Sequence, residues 1–183
     1  MSRNYKFHNP TAPYFVSFAV VEWLDVFTRN EYKNILIDNL HFYQKQGMEI
    51  YAWCIMTNHM HLVFRSVNDV KPEVLLGNFK RFTSKAILKA ILNNPKESRK
   101  SVLLAQFKIA GAKASNVKEY QFWRHDNKPI ELWSNKVIAE KIKYIHDNPV
   151  EAGLVFRPEE YMYSSAVDYS GEKGMLNDVV VIS

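Results

Sequence analysis

The stretch that decides the fold is Met48 to Arg65, MEIYAWCIMTNHMHLVFR. Met48 to Met56 is rich in β-branched and aromatic residues and predicts a strand. His59 to Arg65 predicts a second. Only Thr57-Asn58 separates them, so the pair is expected as an antiparallel hairpin. Side chains alternate along a strand, so His59 and His61 point one way, and Met60, Leu62 and Phe64 the other. Two imidazoles would thus share one sheet face, with an apolar row on its reverse.

Upstream, Pro13 to Trp23 (PYFVSFAVVEW) is a nearly continuous apolar run, which predicts a central strand. Thr28-Arg29-Asn30-Glu31 has capping-box form. Apolar residues then recur at helical spacing to Gly47, giving a helix over Asn30 to Gln46. Downstream, Lys71-Pro72-Glu73 opens a helix that Asn93-Asn94-Pro95 stops near Leu92. Val102 to Ile109 predicts a short helix. Glu119 to His125 reads as a strand, followed by a turn at Asp126 to Pro129. Ser134 is a suitable N-cap for a last helix, which Asn148-Pro149 should end near Asp147.

The order strand, helix, strand, strand, helix, strand, helix implies an α+β protein. Its core is expected as a ferredoxin-like split βαβ unit, an antiparallel sheet with helices on one face. The opposite face is left to carry a site, and a C-terminal helix carries Tyr144. The expected organisation is one domain over residues 1–183, with a core at about 13–148 and an extension at 149–183.

With 47% hydrophobic and 23% charged residues, the chain reads as an ordinary globular protein. Its N-terminal residues lack the apolar core of a signal peptide, and no stretch is long enough to span a membrane. Cys54 is alone, which excludes an internal disulfide and fits a cytoplasmic location. The net charge is +5, but it is unevenly placed: Asn78 to Lys118 holds ten basic residues against one acid, Glu97. Such a patch suits an anionic partner, nucleic acid first among them. Lys80, Arg81 and Lys85 are candidate phosphate contacts, with Arg124 and Lys128 beside the predicted strand end. Phe122 and Trp123 have two readings, core packing or stacking on an unpaired base.

Histidines embedded in an apolar strand need partners, because buried polar groups are otherwise costly. A divalent cation would supply one for His59 and His61. Tyr144 and Asn148, four apart in a helix, share a face. The Asn148 amide oxygen could complete the ligand set, and Tyr144 could act as a nucleophile towards a metal-polarised phosphate.

At these residues the chain resembles a known family. AWCIMTNHMHLVF (52–64) is similar to the His-hydrophobe-His segment of HUH-type one-tyrosine transposases. YIHDNPVEAGLV (144–155) resembles the tyrosine motif of the REP-associated tyrosine transposases, and FWRHDNKPIELW (122–133) and RPEEYMYSSAVDY (157–169) resemble the same group. The resemblance implies a metal-dependent endonuclease and strand transferase for single-stranded DNA, acting at hairpins through a 5′-phosphotyrosine intermediate. It implies His59 and His61 as the metal pair, Asn148 as the amide ligand, Tyr144 as the nucleophile, and Mg²⁺ or Mn²⁺ as the cofactor. Imidazole ligands favour Mn²⁺. Relatives outside this group form homodimers that exchange the tyrosine helix, so monomer and homodimer both stay open. Two other readings also stay open: a domesticated hairpin-binding protein that does not cut, and a nuclease that uses metal-bound water.

Overall fold

A computed structural model describes residues 7–114, 119–125 and 128–182. Its elements in chain order are β1 (Tyr14–Ala19), α1 (Asn30–Lys45), β2 (Met48–Ile55), β3 (His59–Ser66), α2 (Pro72–Asn93), α3 (Lys100–Ala112), β4 (Ile130–Glu131), α4 (Asn135–Glu151) and α5 (Ala166–Tyr169). The strands form one antiparallel sheet in the order β2-β3-β1-β4. That is the ferredoxin-like order, with β1 and β3 central. The hairpin register sets Cys54 opposite His61 and Ile55 opposite Met60.

Alternation sorts the side chains into two cores. Val16, Phe18, Met60, Leu62 and Phe64 pack with α1, α2 and α3 in the larger one. Phe15, Cys54 and Val63 point the other way and pack against Ile138, Ile142 and Ile145 of α4. The register shifts between Ile50 and Ala52. This bulge gives the α4 face two consecutive residues, Tyr51 and Ala52, and then restores the alternation. The second face is therefore not open along its length. α4 covers part of it, and the site lies where that cover stops.

Several boundaries differ from expectation. β1 stops at Ala19, because Glu22 and Trp23 both take left-handed backbone angles, φ 53° each, inside a 3₁₀ turn. The cap of α1 falls on Arg29, while the Thr28 hydroxyl bonds back to the Asp25 carbonyl. Gly47 adopts φ 97° as the helix-ending pattern requires. α3 is longer than predicted. The expected strand at Glu119–His125 reduces to a single bridge between Val20 and Trp123. The fourth strand is instead Ile130–Glu131, and Asp126-Asn127 of the expected turn lie outside the described residues.

α4 also runs past its expected stop, through Asn148 and Pro149 to Glu151. Pro149 sits in the last turn, where only one intrahelical bond is lost, and it is buried. The true terminus is a Schellman motif, with Gly153 at φ 69°, Gly153 N–H donating to Val150 and Leu154 N–H to Pro149.

The segment after α4 closes the exposed edge of β2. Ile55 N–H donates to the Tyr163 carbonyl, Ser165 N–H to Trp53 and Val180 N–H to Ile50, each at 2.9 Å. No described helix is long and apolar enough to cross a membrane.

Candidate functional site

His59 and His61 share the α4 face of β3, as their spacing requires. His61 lies between Ser17 of β1 and Cys54 of β2 and is buried, while His59 is half-buried at the strand start. Their Nε2 atoms face each other at 3.0 Å. Burial holds both rings neutral, pushing the pKa of His61 down to about 3 and that of His59 below its usual value. The neighbouring His59 and Lys141 add to the effect at His61. Neutral imidazole is the form that ligates a metal.

A second layer fixes the His59 ring. The Asn58 amide nitrogen donates to the Trp23 carbonyl (3.2 Å) and to Asp25 (3.1 Å). Its oxygen is thereby left to accept from His59 Nδ1–H at 2.7 Å. The Nε2 of His59 then carries a lone pair directed at the gap beside His61.

α4 brings Tyr144 to the same place. Its ring lies 5.4 Å from that of His61 and 5.9 Å from Phe15, edge-on to both, and remains 43% exposed. Ser134 starts this helix by accepting a bond from Val137 N–H. Asn148, one turn on, donates its amide nitrogen to the Tyr144 carbonyl (2.6 Å) and lies near enough to His61 to offset part of the lowering of its pKa. Among the described residues no third histidine, cysteine or carboxylate joins the pair. His61 Nδ1 is buried with no hydrogen-bond partner in the described structure, an unusual state for a purely structural histidine.

Lys141, which sequence reading missed, sets its ammonium 5.4 Å from the Tyr144 ring and 5.1 Å from the Phe15 ring. Its position three residues before Tyr144 was the available signal. His146 is structural. It is buried, meets the Ser165 hydroxyl at 2.8 Å and packs on Tyr169, which ties α4 to the closing segment.

Two of the five basic candidates meet each other, and one of them lies beside Trp23. Lys80 donates to the Arg124 carbonyl at 3.0 Å, and the Arg124 guanidinium lies 5.3 Å from the Trp23 ring, itself 5.8 Å from His59. Arg81 turns to Asn78 and to the Phe82 ring. Lys85 shares its exposed helix face, and Lys128 is exposed just ahead of β4. Glu97 does not offset this surface, because it is buried and bound by Arg29, Arg99 and Tyr32. Phe122 and Trp123 resolve as core residues, with the Trp123 indole nitrogen donating to Thr83. Cys54 is a buried thiol, its pKa pushed up to about 12 by burial. A separate concavity of about 550 Å³, between the end of α1 and residues 177–180, contains none of these groups.

The family model for IS200-like transposases matches residues 23–121, more than half of the chain. The chain belongs to this family. No protein of curated function matches it in sequence. Among solved structures, a REP-associated tyrosine transposase bound to a REP hairpin superposes with a TM-score of 0.65 over 100% of this chain and 96% of that one, at 16% identity. The IS200-like fold is thus shared well beyond recognisable sequence identity. The matched span includes both histidines and ends before Tyr144.

Proposed function

We propose that this IS200-like chain is a metal-dependent endonuclease and strand transferase for single-stranded DNA at hairpins. Tyr144 is the nucleophile, and His59, His61 and Asn148 are the metal ligands. The observation that carries this reading is the approach of Tyr144 to the neutral, converging Nε2 atoms of His59 and His61 within one chain. α4 lies over its own sheet, so a single chain supplies every group.

The donors fit Mg²⁺ or Mn²⁺, with Mn²⁺ favoured by two imidazoles. When bound, such an ion polarises the scissile phosphate and counters its developing charge. The rest of the work falls to the chain. The Tyr144 hydroxyl attacks phosphorus, a tyrosyl O–P bond forms, the bond from phosphorus to the 3′ oxygen breaks, and the phenolic proton is released. One strand then carries a free 3′-hydroxyl and the other a 5′-phosphotyrosine link. Because the phosphoester is conserved, a second 3′-hydroxyl can attack the same phosphorus, join the strands and free Tyr144. Lys141 holds positive charge beside the ring, and Lys80, Arg81, Lys85, Arg124 and Lys128 contact the strand's phosphates. The cytoplasm is the matching compartment.

The test uses labelled single-stranded hairpin DNA from sequence flanking the gene, with Mn²⁺ and a denaturing protein gel. A metal-dependent covalent band that disappears in Tyr144→Phe is the expected result. Cleavage by both proteins without an adduct would assign the reaction to metal-bound water. Binding without cutting would assign the chain to hairpin recognition alone.

A further inference from the structure

We propose that Phe15 is the positioning residue that sets the His61 ring and the Tyr144 ring relative to each other. This rests on the metal-dependent cleavage proposed above and names what holds its ligand and its nucleophile in register.

The two histidines are held by different means. The Asn58 oxygen fixes the His59 ring through its Nδ1. His61 has no such bond, because its Nδ1 is buried without a hydrogen-bond partner among the described residues. A ligand ring that no hydrogen bond turns at its far nitrogen is left to packing for its orientation. Phe15 supplies that packing. Its ring stacks on the His61 imidazole, with centres 5.8 Å apart and 20° between the planes, a geometry that aromatic pairs favour. The Tyr144 ring meets the same Phe15 ring edge-on at 5.9 Å, and the Lys141 ammonium lies 5.1 Å from its centre.

The base beneath these groups is rigid. Phe15 is buried, and its backbone is paired on both sides, with Val63 of β3 and Ile130 of β4. Filling space does not by itself call for an aromatic here. Apart from Tyr51, every other buried member of this core is aliphatic or sulfur-bearing. A leucine would occupy much of the same space and keep the core apolar. It would offer neither a flat face to the imidazole nor a π-surface to the ammonium. One side chain on the central sheet therefore carries the ligand from β3 together with the nucleophile and the cation from α4.

The test measures Mn²⁺ binding to the full chain by titration calorimetry, and the rate of covalent adduct formation on labelled hairpin DNA at saturating Mn²⁺. Phe15→Leu should weaken Mn²⁺ binding about tenfold. It should also slow adduct formation about tenfold with the metal saturating, because Tyr144 loses its seat as well. Phe15→Tyr keeps the ring and should stay near the native chain in both measurements. Ile138→Ala removes bulk from the same core but no ring, and should lower the urea midpoint without moving Mn²⁺ affinity. Native values in Phe15→Leu, or a loss in Phe15→Tyr or Ile138→Ala equal to that in Phe15→Leu, would overturn the role of Phe15 while leaving the proposed function intact. If the native chain binds no Mn²⁺, or binds it equally after His61→Ala, the metal reading fails, and the positioning role with it.

Discussion

Acid should loosen the junction between α4 and the segment after it, and His146 provides the handle. Burial lowers its pKa to about 4 in the folded chain, against about 6.5 in an unfolded one. Between these values the unfolded state binds more protons, so stability falls as pH falls. The loss begins near pH 6.5 and is complete by about pH 4. At pH 7.5 the residue contributes almost nothing to the pH dependence. At pH 5 nearly every unfolded molecule carries the proton and few folded ones do, which costs about 2 kcal/mol. Urea unfolding of the native chain and of His146→Gln, at pH 7.5 and pH 5, isolates this contribution. Carboxylates and His61 titrate in both proteins and cancel. The native chain should lose about 2 kcal/mol more than the variant over this interval. Equal losses would refute the reasoning, because a buried histidine that meets the Ser165 hydroxyl and the Tyr169 ring, with Asp147 offsetting only part of the effect of burial, cannot be protonated without cost.

Other expectations concern the site and its support. Asn58→Ala should lower Mn²⁺ affinity about 10- to 100-fold by titration calorimetry, since it releases the ring that aims His59 Nε2. Unchanged affinity would mean that the ring is held by packing alone. Lys141→Met should slow strand cleavage about tenfold with little effect on metal binding. A cleavage rate equal to that of the native chain would reduce Lys141 to a packing role. Gly111→Ala should destabilise the fold by about 1–3 kcal/mol in thermal melts. A Cβ at that position would sit 2.4 Å from the Glu119 carbonyl oxygen, where backbone must move. A neutral substitution would show that the segment from Glu119 shifts freely.

The legible parts of the fold were those with a clean period. β2, β3, α1 and α2 follow alternation or helical stripes and fall within a residue or two of expectation. Glu119–His125 misled because Phe122 and Trp123 look like strand residues, whereas their bulk fills the core beside the end of β1. The actual β4 has two residues, too few for any period. Pro149 suggested an end that tertiary packing overrides, while Gly153 carried the real signal. In the site, the spacing of His59 with His61 and of Tyr144 with Asn148 was readable, because one strand or one helix fixes each pair. Trp23 and Asn58 were not. Their roles depend on left-handed backbone angles and on one side chain bridging two loops, neither of which leaves a pattern in composition.

The closing of the β2 edge has a consequence in time. During synthesis the histidine pair leaves the ribosome first, within a hairpin whose outer strand is still bare. Tyr144 follows, but its helix gains the Ser165 contact only when the succeeding stretch has docked against Trp53 and Ile55. A nascent or prematurely ended chain therefore holds the histidine pair and Tyr144 without a fixed relation between them. The relation of Tyr144 to the histidine pair is thus settled only when the last strand edge is sealed.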